Sequence, residues 1–177
     1  MTKRLLLHNC CAPCTIHPLA VLRDEGWEVE GWFYNPNIHP YREWQHRRDT
    51  LAEYAGLVDL PVTWVEGYDL NEFLQEALAA GPERCLSCYR RRLSAAAKAA
   101  REGGYDAFST TLLVSPYQKH DAIRRLGEEL AAQQDVPFVY RDFRPGFRAA
   151  QAKARELGLY RQPYCGCIFS ERERYQK

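Results

Sequence analysis

The sequence predicts an α/β fold, a parallel sheet with helices on both faces, in a single domain over residues 1–177. Three observations predict it. Short apolar runs alternate with longer helical segments along the whole chain, which is the pattern of strands joined by crossover helices. The chain has 177 residues with 46% hydrophobic content, enough to build one sizeable core. No internal repeat, low-complexity linker or shift in composition divides it.

Residues 4–9 (RLLLHN) read as a short buried strand, and a helix over 16–25 stops at Gly26. EVEGWFY (28–34) is the second strand. NPNIHP (35–40) is a loop, because Asn and Pro favour turns over regular structure. A polar helix spans 42–54, and VTWVEG (62–67) is the third strand. Residues 71–80 form a short helix with apolar Phe73, Leu74 and Leu78, and Gly81 and Pro82 break it. The alanine-rich segment 88–101 is helical and is closed by Gly103 and Gly104. YDAFSTTLLV (105–114) is the fourth strand, 121–134 a helix and VPFVYRDF (136–143) the fifth strand. A last helix over 147–157 ends at Gly158, and the tail carries YRQPYCGC and a charged end. Ligands of such sheets bind at the carboxyl ends of the strands. The first cysteines sit at one such end.

Charge and hydropathy exclude some classes of function. The net charge is +1, so bulk charge does not announce a nucleic-acid binder. Local charge is less even. Arg90, Arg91 and Arg92 run together, and Arg42, His46, Arg47 and Arg48 share one segment. Such runs are either solvated helix faces or phosphate-binding patches. No apolar run is long enough to span a bilayer, and the apolar run of MTKRLLLHNCC is too short for a secretory signal. The expectation is a cytoplasmic protein without a membrane partner, in which thiols stay reduced.

The 7 cysteines fall into three groups. Cys10, Cys11 and Cys14 lie in HNCCAPC, Cys85 and Cys88 in RCLSCYRRR, and Cys165 and Cys167 in YCGC. None stands alone, and scattered core cysteines would not cluster in this way. A C-x-x-C turn lets both sulfurs converge on one metal or cluster, and Cys11/Cys14 and Cys85/Cys88 have that spacing. A closed zinc site of four thiolates is one reading, although it leaves Cys10 surplus. A thioredoxin-like dithiol at Cys11 and Cys14 is another, and it leaves five thiols unexplained. Iron–sulfur ligation accommodates thiols from separate segments. The close pair Cys165 and Cys167 suits a second metal or a strained, readily reduced disulfide.

Six stretches together resemble the epoxyqueuosine reductase QueH family. They are HNCCAPC, FYNPNIHPYREWQHR, the CxxC followed by RRRL, STTLLVSPYQKHDAI, DFRPGF and YRQPYCGCIFS. The resemblance covers nearly the whole chain and keeps the motif order. It implies a HUP-like (adenine nucleotide alpha hydrolase-like) fold. It implies a cobalamin-independent oxidoreductase that reduces the epoxide of epoxyqueuosine, at the wobble position of tRNA, to queuosine. It further implies a 4Fe-4S cluster with an additional iron nearby. Carried over by residue, Cys10, Cys11, Cys85 and Cys88 match the cluster ligands, and Cys165 and Cys167 match the C-terminal CGC, assigned to the second metal or to redox. Some members carry an acidic residue where this chain has Cys14, so a thiolate there would replace a carboxylate on the extra iron.

Removing an epoxide oxygen requires electrons, a Lewis acid and protons. The candidate proton donors are Tyr160, Tyr164, Asp69 and His8. Each has a structural alternative: packing for the tyrosines, a helix N-cap for Asp69 and a buried hydrogen bond for His8. Substrate contacts are expected from Tyr34, Asn35, Asn37 and His39 on the loop after the second strand. Thr110, Thr111 and Ser115 at the fourth strand are read as sugar or diol contacts, or as strand-end hydrogen bonds. Lys119, Arg161 and the arginine run are read as phosphate or base contacts. The expected partners are tRNA carrying epoxyqueuosine and an electron donor, a reductase or a ferredoxin-like protein, with the chain as a monomer. Two rivals remain. A nucleotide-dependent sulfurtransferase-like enzyme would need a glycine-rich loop where this chain reads NCCAPC. A zinc-stabilised RNA-binding module would have no turnover.

Overall fold

The computed structural model describes residues 2–176. Its sheet has four parallel strands in the order β3-β2-β1-β4. These are β1 (Lys3–His8), β2 (Trp27–Phe33), β3 (Val62–Trp64) and β4 (Ala107–Thr110). The helices are α1 (Ala12–Asp24), α2 (Tyr41–Leu57), α3 (Leu70–Ala80), α4 (Arg84–Glu102), α5 (His120–Gln134), α6 (Phe147–Glu156) and α7 (Ile168–Tyr175).

β1 is the central strand. It pairs with β2 on one side and β4 on the other, with Leu5 opposite both Val29 and Ala107. A strand covered on both faces reads as a continuous apolar run, and Leu5, Leu6 and Leu7 are all buried. From β1 the chain steps outward through β2 to β3, and then crosses back to β4 on the far side. Right-handed crossovers therefore place α1 and α2 on one face and α3, α4 and α5 on the other. α6 packs on α1, and α4 packs on α3 and α5. The chain reverses its winding direction at the gap between the carboxyl ends of β1 and β4, where such sheets bind ligands.

Several boundaries differ from the sequence expectation; the third strand, for one, ends at Trp64, and the second helix runs on to Leu57. Residues 136–143 make only an isolated bridge, Phe108 to Phe138. Pro137 has no N–H to extend a ladder, so its carbonyl accepts from Phe108 and the pairing stops after Val139 donates back. The fourth strand ends at Thr110 because its hydroxyl accepts from the Leu112 amide and starts a 3₁₀ turn over Thr111–Val114. α1 begins at Ala12, since Pro13 in the first turn loses no hydrogen bond. α4 begins at Arg84, which brings Cys85 into the helix together with Cys88. The charged tail also holds a helix, α7, capped by the Cys167 sulfur, which accepts from the Ser170 amide.

Gly31 shows how closely the strand ends pack. A Cβ there would lie 2.6 Å from Asn9 Oδ1 and 2.9 Å from Val62 Cγ2. Gly31→Ala is expected to destabilise the protein by about 1–3 kcal/mol, the usual cost of overpacking a filled core. The denaturant midpoint checks it, and an unchanged midpoint would show that Asn9 moves freely.

Candidate metal centre

Asn9 builds the turn that presents the thiols. Its amide donates to the Trp32 carbonyl at 2.9 Å, and its Oδ1 accepts from the Trp32 amide at 3.0 Å. The β1–β2 ladder is thereby closed by a side chain, and the backbone is free to turn. Asn9 Nδ2 donates to Thr15 Oγ1, which in turn donates to the Cys11 carbonyl in the first turn of α1. Asn35 Nδ2 ties the Asn9 carbonyl to the loop after β2.

Held this way, the sulfurs of Cys10, Cys11 and Cys14 all lie within 4.8 Å of one another. Cys10 and Cys11 are 3.9 Å apart. Two thiolates on one tetrahedral ion, with bonds of roughly 2.3 Å, stand roughly 3.8 Å apart. The donor set therefore suits a thiophilic metal. The charge is already unequal. Hydrogen bonds from Cys11, Cys14 and Thr111 hold the Cys10 thiol well below its ordinary range. Burial pushes the Cys11 thiol up, and bonding to Cys10 pushes the Cys14 thiol up. Cys10 is thus the thiol of the triad that ionises most readily, and a bound metal would displace the protons of its neighbours.

The triad forms one end of a cavity of about 620 Å³, lined among others by Cys10, Cys14, Asn35, Asn37, Arg92, Thr111, Tyr164 and Cys165. The far wall is the segment between α6 and α7. Gln162 Nε2 donates to Cys11 Sγ at 2.9 Å. Gln118 Nε2 donates to Cys165 Sγ at 3.3 Å. Buried Arg47 fixes this wall: its Nε bonds Glu43, and its two terminal nitrogens donate to the carbonyls of Cys165 and Tyr164 at 2.7 and 3.0 Å.

The structure sorts the sequence candidates. Asn35, Asn37, Thr111, Ser115, Arg161, Tyr164 and Cys165 line the cavity. Thr110 is buried beneath it, bonded to His8 Nδ1 at 2.9 Å. His8 is fully buried and its pKa is lowered to about 4 by desolvation and by Arg92, so it is neutral at pH 7. Its role is the buried hydrogen bond. Asp69 is not brought to the cavity: it is the exposed N-cap of α3, 3.9 Å from Arg91. Tyr160 stacks on His46 and donates to Glu43, away from the lining. Tyr34 accepts from Arg91 Nε through its hydroxyl, and Lys119 is exposed, with its amide donating to Tyr89. Neither reaches the lining. In the arginine run, Arg90 pairs with Glu129 and Arg91 with Glu72 and Glu76. Only Arg92 turns inward, because it shares the face of α4 that carries Cys85 and Cys88. Sequence reading missed Gln162 and Gln118, since single glutamines carry no spacing signal.

His39 is buried and faces the loop and wall instead of the cavity. Its Nε2 donates to the Pro36 carbonyl, and its Nδ1 accepts from the Ile168 amide at 3.1 Å. Burial lowers its pKa below the usual 6.5. The native state therefore binds this proton less readily than the unfolded chain. Its stabilising effect is present above about pH 6.5 and declines as pH falls below that value. Hydrogen exchange at the Ile168 amide is expected to lose protection faster between pH 7 and 5 than exchange in β1. Parallel loss at both would rule this out.

All 7 cysteines are free thiols. Among the described residues, Cys10, Cys11 and Cys14 are the group whose donors meet; Cys85 and Cys88 do not join Cys11 and Cys14 in a closed four-thiolate zinc site. Among the same residues no helix is long and apolar enough to cross a membrane.

Comparison with known proteins agrees with this geometry. A solved structure, described as a predicted subunit of tRNA methyltransferase from Methanocaldococcus jannaschii, superposes with a TM-score of 0.58 at 12% identity, covering 87% of this chain and 75% of that one. It supports the α/β fold of a parallel sheet with helices on both faces. The epoxyqueuosine reductase QueH of Dehalococcoides mccartyi is 36% identical over 177 residues, covering 100% of this chain and 97% of that protein. The one from Thermotoga maritima is 36% identical over 183 residues, covering 98% and 93%. The family model for epoxyqueuosine reductase QueH matches residues 5–173. The chain belongs to the epoxyqueuosine reductase QueH family.

Proposed function

We propose that this chain reduces the epoxide of epoxyqueuosine in tRNA to queuosine, as a single catalytic domain acting as a cytoplasmic monomer. One observation carries the reading beyond family membership: a triad of converging thiols opens into a cavity of about 620 Å³ lined by polar side chains. In this reading Cys10, Cys11, Cys85 and Cys88 hold a 4Fe-4S cluster. Cys14, with Cys165 and Cys167, serves an additional iron or carries electrons. The chemistry of the donors supports it, because thiolates select iron–sulfur centres and ligands from separate segments are usual there.

Taking oxygen from an epoxide consumes two electrons and two protons and leaves an alkene and water. When bound, the iron centre supplies the electrons and the Lewis acidity that weakens the C–O bond. The chain's own residues supply the rest. Asn35, Asn37, Thr111 and Ser115 offer donors and acceptors to the base and its diol. Arg161 at the mouth meets a phosphate or a base edge. Tyr164, with its hydroxyl pushed up to about 12 mainly by burial, stays protonated at neutral pH and is the lining group best suited to hold a proton. Its hydroxyl donates to the His39 carbonyl, so it must turn to reach a substrate. Electrons come from a separate donor, a reductase or a ferredoxin-like protein.

The test is iron and sulfide quantification on anaerobically prepared protein, paired with mass analysis of treated epoxyqueuosine tRNA. The expected result is bound iron with sulfide, and loss of one oxygen atom from the modified base. Equimolar zinc without iron, and an unchanged base, would reject the reading and favour a non-catalytic zinc module.

A further inference from the structure

Arg92 is the anomaly of the cavity. It is 2% exposed and lines the cavity, yet no carboxylate meets it. Nη1 reaches Asn35 Oδ1 at 3.4 Å, and Nε and Nη2 have no partner at all. The other buried arginine, Arg47, is fully bonded to a carboxylate and two carbonyls. Its neighbours Arg90 and Arg91 are paired with glutamates at the surface. An isolated cation at this depth is costly unless an anion meets it.

The groups around it show what that anion is. Cys88 lies one turn earlier on the same face of α4. Cys10 and Cys165 line the same cavity from β1 and from the C-terminal wall. Thiols, and no carboxylates, are the acidic groups beside the guanidinium. Two unused N–H donors therefore sit on a residue that shares its cavity with Cys10 and Cys165 and its helix face with Cys88. Nitrogen–hydrogen bonds to sulfur and local net charge are the terms that set the potential of an iron–sulfur centre.

We propose that Arg92 is the built-in counter-cation of the thiolate-bound metal centre, a positioning residue whose free N–H groups donate to sulfur and raise the centre's reduction potential. The proposal rests on the iron–sulfur reading above. It gives the unpaired charge a function: the reduced, more negative centre gains more from a neighbouring cation than the oxidised one does.

The experiment is an anaerobic redox titration, followed by absorbance, of wild-type, Arg92→Met and Arg92→Lys proteins with iron and sulfide measured on each. The expected result for Arg92→Met is an unchanged iron and sulfide content. Its one-electron reduction equilibrium is at least tenfold less favourable, a fall in potential of about 59 mV. Arg92→Lys keeps the charge, loses the planar fork, and is expected to recover most of the shift. A loaded Arg92→Met that titrates at the wild-type potential overturns the proposal. If Arg92→Met does not load, Arg92→Gln, which also removes the charge, is titrated in its place: a fall in potential that Arg92→Lys largely recovers supports the proposal, and a wild-type potential in Arg92→Gln overturns it. A wild-type protein that binds only zinc and shows no redox transition sinks both this proposal and the reductase reading. An iron-loaded wild type that Arg92→Met leaves unmoved sinks this one only.

Discussion

Cys10→Ser is expected to lose both metal loading and turnover, with residual activity at least about a thousandfold below wild type. Cys10 is the thiol whose pKa is held well below the ordinary value, by hydrogen bonds from Cys11, Cys14 and Thr111. A hydroxyl in its place is not ionised at neutral pH and is a poor ligand for a soft metal. A bound metal contributes several kcal/mol to a reaction of this class, and each 1.36 kcal/mol is about tenfold in rate. Iron content and single-turnover rate check the effect. Full iron with normal turnover in Cys10→Ser would remove the triad from the centre. The fold should survive, because Asn9 and not Cys10 closes the β1–β2 ladder.

Arg47→Ala has the largest expected effect on stability. The side chain is 2% exposed and makes three hydrogen bonds, one to Glu43 in its own helix and two to carbonyls 117 and 118 residues away. Removing it leaves Glu43 half-paired and the carbonyls of Tyr164 and Cys165 without a donor. Breaking one partner of such a buried network costs about 3–5 kcal/mol, which is a large part of a typical domain's stability. Loss of the C-terminal wall should precede global unfolding, so Cys165 should become reactive to an alkylating reagent while β1 remains protected. An unchanged denaturant midpoint would show that the wall is held mainly by His39 and Tyr164.

The sequence made the sheet legible because β1 is buried on both faces and β2 follows it with a crossover helix. Leu5 to Leu7 announce such a strand without ambiguity. It misread the region after Thr110, where strand-like residues continue but a hydroxyl caps a 3₁₀ turn. It misread 136–143 because a run rich in Val and Phe looks like a strand even when Pro137 prevents a ladder. At the cavity, spacing pointed to Cys10, Cys11, Cys14 and Cys165, which form the triad or the lining, because thiols so close in sequence are improbable without a task. Spacing did not disclose which arginine turns inward. Arg90, Arg91 and Arg92 are identical letters, and only the helix face shared with Cys85 and Cys88 separates the third from the other two. Asp69 drew attention as an acid, although the structure uses it to start α3.

One feature of the wall bears on biogenesis. Gln162, Tyr164 and Cys165 close the cavity, yet they lie far downstream of the thiols that they shelter. A ribosome releases Cys10, Cys11 and Cys14 long before it delivers that cover. During the interval the nascent triad stands open to oxygen and to whichever soft ion arrives first. The shelter that this cover gives the triad is therefore available only after the strap around Cys165 has been translated and docked.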